Sequence, residues 1–180
     1  MIVFLDMDGV LVDFVGGINK VFSLPKEFPP PKADGLPQWN WFENYGLTSR
    51  EVNAVCDIDF WANLEWMHDG KQIFKYIEER VDQSNIYLLT TPMPNPGSGT
   101  GKMLWVNKHL PRYSERTIIT QAPKSIFAGL DRLLIDDKDE NVAEFVAAGG
   151  QGILVPRHWN ELRGWADETL QVIENSLETL

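Results

Sequence analysis

Two pairs of aspartates are the residues whose type and spacing suit chemistry. The first lies in Phe4-Leu5-Asp6-Met7-Asp8-Gly9, where a short apolar run ends in Asp-x-Asp-Gly. The second closes another apolar run, Leu133-Leu134-Ile135-Asp136-Asp137. If both runs are central strands of a parallel sheet, their carboxyl ends share one edge, which is where ligands gather. Asp6 and Asp8 then point to the same side for as long as the backbone stays extended. Gly9 lets the chain turn away sharply. Carboxylates held this close repel one another unless a cation or a shared proton offsets the repulsion. The pattern describes a carboxylate nucleophile and an acid–base partner built around a metal. Hard oxygen donors with no His or Cys beside them select magnesium. Taken alone, Asp-x-Asp-Gly is equally an acidic turn after a strand, and it is the second pair that separates the two readings.

Two weaker signals fall between the pairs. Leu88-Leu89-Thr90-Thr91-Pro92 ends an apolar run with hydroxyls and backbone N–H groups able to hold phosphate oxygens. Lys124, in Gln121-Ala122-Pro123-Lys124-Ser125, follows another run and would neutralise charge on a phosphate and on the nucleophile. Each has a bland counterpart, a threonine in a strand-end turn and a solvated surface lysine. Their weight comes from their order along the chain.

The elements that must position these groups read as an α/β domain with a mainly parallel sheet. Strands are predicted at Ile2–Asp6, Asn85–Thr90, Arg116–Thr120, Leu133–Asp136 and Gly152–Val155, most of them apolar enough to be buried on both faces. Helices are predicted at Lys71–Arg80, Lys102–His109, Glu140–Ala148 and Glu161–Leu177. Asp139 is the expected cap of the third, and Gly149-Gly150 its expected end. Trp165, Leu170 and Ile173 fall at helical spacing in the fourth. Residues 16–68 break the alternation. They hold a proline-rich patch (Pro25, Pro29, Pro30, Pro31, Pro37) and then Trp39, Trp41, Phe42, Tyr45, Phe60, Trp61 and Trp66. This segment reads as a mostly helical cap, inserted into a Rossmann-like core made of residues 1–15 and 69–180.

At 180 residues, 43% of them hydrophobic, the chain can build one domain with a real core. A net charge of -10 speaks against nucleic-acid polymers and anionic membranes, so any anion site must draw its positive charge locally, from a metal or one or two lysines. Cys56 is the single cysteine, which excludes a disulfide framework and a cysteine metal site. No apolar run approaches the roughly 18 residues of a membrane helix, and the N-terminus lacks the pattern of a signal peptide, so a cytoplasmic location is expected. Pro96-Gly97-Ser98-Gly99-Thr100-Gly101-Lys102 imitates a phosphate-binding loop. It fails where that loop needs its first glycine (Pro96) and its Ser or Thr (Met103), and reads instead as a flexible loop opening a helix. His68, His109 and His158 show no ligand spacing.

Asp-x-Asp, Thr, Lys and Asp-Asp, each just after a β-run, follow the motif order of the haloacid-dehalogenase superfamily of phosphatases, which this sequence resembles. The likeness extends to the 5'(3')-deoxyribonucleotidases. It is carried by Asp6–Phe14, Leu134–Asp139, Phe60–Glu65, Lys102–Val106 and Glu115–Thr120, and is weakest from Gly16 to Asp57. The resemblance implies that Asp6 attacks phosphorus and becomes a phosphoaspartate. It implies that Asp8 protonates the leaving oxygen and then activates water. Asp6, the backbone carbonyl of Asp8 and Asp137 would bind magnesium, with Asp136 supporting the metal from beside it. Thr90 and Thr91 would grip the phosphate, Lys124 would clamp it, and Phe14 would meet the nucleoside. The implied substrate is a small phosphate monoester, a (deoxy)nucleoside monophosphate, and the setting is nucleotide metabolism; a homodimer is left open.

Trp41 and Trp61 are the cap rings singled out for a base-stacking platform with Phe14, since base–aromatic stacking contributes about 1–3 kcal/mol. The competing reading is that most cap aromatics simply pack the insertion's own small core. Sugar phosphates or other small metabolites are the alternative substrates. A non-hydrolysing phosphoaspartate receiver is the alternative class, although receivers carry no cap and place their acidic pair before the acceptor aspartate.

Overall fold

The apolar runs form five parallel strands: β1 Ile2–Leu5, β2 Ile86–Thr90, β3 Thr117–Ile119, β4 Arg132–Asp136 and β5 Gln151–Leu154. They are ordered β3-β2-β1-β4-β5. The computed structural model describes residues 1–29 and 39–179, so Pro30, Pro31 and Pro37 of the proline-rich patch lie outside the described residues. β1 is central and buried on both faces, as its unbroken apolar run requires. Val3 and Leu5 enter the larger core cluster on one face, while Phe4 packs with Leu89, Leu134 and Phe145 on the other. The register pairs Leu5 with Ile135, so Asp6 and Asp136 leave the sheet side by side.

Seven helices accompany the sheet among the described residues. α1 (Phe14–Val21), α2 (Ser49–Val55) and α3 (Ile58–Ala62) lie between β1 and β2, and α4 (Gly70–Glu78) leads into β2. α5 (Ser98–His109), α6 (Asp139–Ala147) and α7 (Thr169–Glu178) follow β2, β4 and β5. The chain leaves β1 and returns to α4 along two adjacent stretches. Asp13 N–H donates to the Glu65 carbonyl at 3.0 Å, and Met67 N–H to that of Leu11 at 2.8 Å. The inserted helices start on local caps. Asp13 accepts from Gly16 N–H, Thr48 and Glu51 form a capping box, and Asp57 accepts from Phe60 N–H.

Three expectations need correction. Asp139 does not cap α6. Lys138 holds that place and Asp139 is the first helical residue, its carboxylate accepting instead from Glu161 N–H. The far end of α6 does close on the glycines: Gly149 has φ +91°, and Gly149 and Gly150 donate to Val146 and Phe145. The C-terminal helix starts at Thr169 rather than Glu161. Trp165 sits in a preceding 3-10 turn, 58% exposed, while Ile173 is buried.

The glycine-rich run is not a loop; it is helical from Ser98. A Cβ on Gly97 would lie 2.7 Å from Ile58 N, and one on Gly101 would lie 2.6 Å from Ile58 O and from Trp61 Cβ. The glycines therefore let α3 lie directly on α5. Asn95, just before α5, adds a second tie by donating through its backbone N–H to Asn53 Oδ1 and through its side chain to Asn53 O.

This packing yields a paired expectation. Gly101→Ala should destabilise the fold by about 1–3 kcal/mol, because α3 has to move. Gly99→Ala, whose Cβ would meet nothing nearer than 3.7 Å, should be neutral or stabilising by up to about 1 kcal/mol. Urea unfolding midpoints of the two variants check the contrast, and equal midpoints would contradict it.

Candidate active site

Asp6, Asp136 and Asp137 converge where β1 and β4 end, each offering a carboxylate oxygen within 4.8 Å of the others. All three are buried. Gly9 makes this approach possible. It takes φ +73°, and a Cβ there would lie 2.0 Å from Asp137 Oδ2, so any side chain would drive the two loops apart.

The electrostatics of this cluster are unbalanced. Burial, opposed by Lys124 and reinforced by Asp136 and Asp8, pushes the Asp6 carboxyl up to about 7. Burial and then Asp136 and Asp6 raise Asp137 well above the carboxylate range, against a hydrogen bond from Trp159 and the charge of Arg157. Crowded, buried oxygen donors short of positive charge fit a hard divalent cation, with waters completing its coordination. Asp136 has a different environment from its neighbours. Its two oxygens accept from Lys124 Nζ at 2.6 Å, from Lys138 N–H at 2.9 Å and from Asn141 Nδ2 at 3.0 and 3.2 Å. It anchors Lys124.

Lys124 reaches Asp6 Oδ1 at 2.7 Å while held by Asp136. Burial disfavours its ammonium, yet Asp136 and Asp6 keep its pKa above the usual lysine value. Thr90 ends β2 fully buried, while Thr91 is exposed on the wall of an adjoining cavity of about 600 Å3. Asp6, Asp8, Phe14, Trp41, Trp61, Lys124 and Asp137 also line this cavity, whereas Thr90 and Asp136 are fully buried and do not. Phe14 stacks on Trp61 at 5.2 Å and meets Trp41 edge-on at 5.9 Å. Both tryptophans are at most 3% exposed and have their indole N–H groups satisfied, Trp41 by Asn19 and Trp61 by the Cys56 carbonyl. They are core residues that also form a cavity wall.

Sequence reasoning missed Lys102. It is fully buried on α5; its Nζ pairs with Asp8 Oδ2, donates to Thr90 Oγ1 at 2.9 Å and lies 4.2 Å over the Trp61 ring. The signal was present. Ser98, Gly101, Lys102, Trp105 and Val106 form the buried stripe of the helix, and a lysine on such a stripe needs a buried partner. Asp8 Oδ1, by contrast, is buried without a hydrogen-bond partner among the described residues. Arg157 was missed as well. Its guanidinium grips Asp69 through two bonds of 2.7 and 2.8 Å and donates to the Gly9 carbonyl at 2.5 Å, fixing the turn behind Asp8.

Five parallel strands with paired aspartates at the ends of β1 and β4, a threonine closing β2 and a lysine after β3 define a hydrolase of the haloacid-dehalogenase class. The fold matches the crystal structure of a HAD family hydrolase from Deinococcus radiodurans R1, solved with bound phosphate and sodium. The TM-score is 0.52 at 17% identity, over 96% of this chain and 87% of that one. Residues 1–173 match the family described as 5' nucleotidase, deoxy (pyrimidine), cytosolic type C protein, and the chain belongs to this family of phosphoric monoester hydrolases. It is 26% identical to the cytosolic 5'(3')-deoxyribonucleotidase of Homo sapiens, over 96% of this chain and 93% of that protein. It is 24% identical to the 5'(3')-deoxyribonucleotidase of Bacillus subtilis (strain 168), over 90% of each. No helix among the described residues is long and apolar enough to cross a membrane.

Two outcomes are expected from this geometry. Lys102→Met, which leaves Asp8 and Thr90 without their shared donor, should lower kcat about 100-fold with little change in KM, as steady-state phosphate release would show. The second concerns pH in the metal-free protein. Between pH 3.8 and about 7, Asp6 binds more proton in the folded than in the unfolded chain, so its contribution to stability falls as pH rises through that window. In chelator, Asp6→Asn should therefore gain on wild type in unfolding midpoint with rising pH. A constant difference would contradict the shift.

Proposed function

We propose that this chain hydrolyses (deoxy)nucleoside monophosphates to nucleoside and phosphate, with Asp6 as the nucleophile. The observation that carries this reading is a single cavity lined both by Asp6, Asp8 and Asp137 and by the Phe14, Trp61 and Trp41 rings. A phosphate needs charge and positioning, and a base needs flat apolar surface. Its volume of about 600 Å3 suits a ligand of this size. The likeness to deoxyribonucleotidases supports the same choice. We read the described part of residues 16–68 as a cap whose Trp41 and Trp61 supply, with Phe14, this apolar wall.

Magnesium, held by Asp6, Asp137 and the Asp8 carbonyl, would neutralise charge on the phosphoryl oxygens and on the nucleophile. Asp136 supports this site by anchoring Lys124. An Asp6 oxygen forms the bond to phosphorus as the bond to the nucleoside oxygen breaks, and Asp8 delivers the proton the leaving oxygen takes up. Water then attacks phosphorus and gives its proton to Asp8, and the bond to Asp6 breaks to release phosphate. Lys102, paired with Asp8 Oδ2, would hold this carboxylate in place for the proton transfer. Thr90 and Thr91 orient the phosphate, and Lys124, fixed by Asp136, balances its charge.

The test is phosphate release from deoxy- and ribonucleoside monophosphates and from sugar phosphates, with magnesium and with chelator, by wild type and Asp6→Asn. Magnesium-dependent release from nucleotides, abolished in the variant, is the expected result. Release from sugar phosphates alone would keep the chemistry and overturn the substrate. A stable phosphoprotein without turnover would overturn hydrolysis.

A further inference from the structure

The stretch Pro156-Arg157-His158-Trp159-Asn160, one residue after β5, holds Asp137. Trp159 is 5% exposed, and its indole Nε1–H donates to Asp137 Oδ2 at 2.6 Å. The same oxygen lies 2.0 Å, and the indole Cζ2 2.9 Å, from the point where a Gly9 Cβ would stand. Oδ2 is thus lodged between the indole and the bare Cα of Gly9. Asn160 Nδ2 donates to the backbone oxygens of Asp137 and Val155 at 2.8 and 2.7 Å, which fixes the peptide that carries the carboxylate. Phe28 also packs on the indole, tilted, at a centroid distance of 5.6 Å. Among the described residues no hydrogen bond engages Asp137 Oδ1.

We propose that Trp159 determines which divalent cation the site accepts, by leaving Asp137 only one oxygen to offer; the proposal rests on the magnesium reading above. Magnesium demands six ligands in near-ideal octahedral geometry and is satisfied by one oxygen per carboxylate together with waters. Calcium takes six to eight oxygens at longer distance and readily uses both oxygens of a carboxylate. A carboxylate with Oδ2 tied to an indole and blocked by Gly9 cannot swing to offer both. Trp159 does not touch the cation. It is a positioning residue that acts through Asp137, and its hydrogen bond discriminates against calcium. If the bond served only to satisfy a buried indole, its loss would lower stability and weaken both ions alike.

The experiment is calorimetric titration of the full chain with MgCl2 and with CaCl2, on wild type, Trp159→Phe, Trp159→His and Asp137→Asn. Trp159→Phe keeps an aromatic ring and removes the donor; Trp159→Met is a second donor-free variant should the first fail to fold. The expected result is a Mg2+ affinity about ten-fold weaker in the donor-free variant, with Ca2+ binding unchanged or tighter. Trp159→His, whose ring can donate, should recover part of the preference. An unchanged Mg2+ to Ca2+ affinity ratio in the donor-free variant would overturn the role of Trp159 while leaving the magnesium reading intact. Failure of wild type to bind either ion, or wild-type binding by Asp137→Asn, would overturn the magnesium reading and this proposal with it.

Discussion

Repulsion among buried carboxylates is the constraint that organises this molecule. At an effective dielectric of about 20, two charges 4.8 Å apart repel by roughly 3 kcal/mol. Three such pairs would approach the whole stability of a domain, about 5–15 kcal/mol. Asp6, Asp136 and Asp137 cannot all be ionised at this spacing without compensation. The surrounding side chains supply part of it. Lys124 bridges Asp6 and Asp136, the Trp159 indole donates to Asp137, and Lys102 pairs with Asp8 beside them. The remainder suits a divalent cation, and on the proposed reading the imbalance that strains the metal-free chain is what such a cation would relieve.

Bringing those charges together requires close approach, and glycines permit it at two levels. Gly9 admits Asp137 to the turn after the first aspartates. Gly97 and Gly101 admit α3 onto α5, which puts the Trp61 ring over Lys102. The helix carrying Trp61 and the Asp8 carboxylate are therefore joined through one buried lysine. Trp61 lines the cavity, and the Lys102 Nζ that lies over its ring also pairs with Asp8 and donates to Thr90. Aromatic wall and chemical centre meet as one continuous packed unit.

Much of the framework was legible in the residues. Continuous apolar runs mark strands buried on both faces, and their ends locate Asp6, Asp8, Thr90, Asp136 and Asp137 within a residue or two. Boundaries that depend on local competition were read less well. The run before Lys102 has the composition of a loop, and only contact with Ile58 and Trp61 turns its glycines into a helix surface. The stretch after β5 first commits Arg157, Trp159 and Asn160 to tertiary hydrogen bonds, passes through a 3-10 turn at Arg163–Trp165, and becomes α-helical only at Thr169.

By itself the sequence determined the strands and the order of the charged groups along the chain. These follow from period, polarity and residue type, which are local properties. The tertiary structure alone decided which charge answers which: Lys124 with Asp136 and Asp6, Lys102 with Asp8, Arg157 with Asp69 and Gly9, Trp159 with Asp137. Most of these partners lie tens of residues apart. A buried charge is stable only beside its counterpart, and that neighbour is set by how the strands and helices stack.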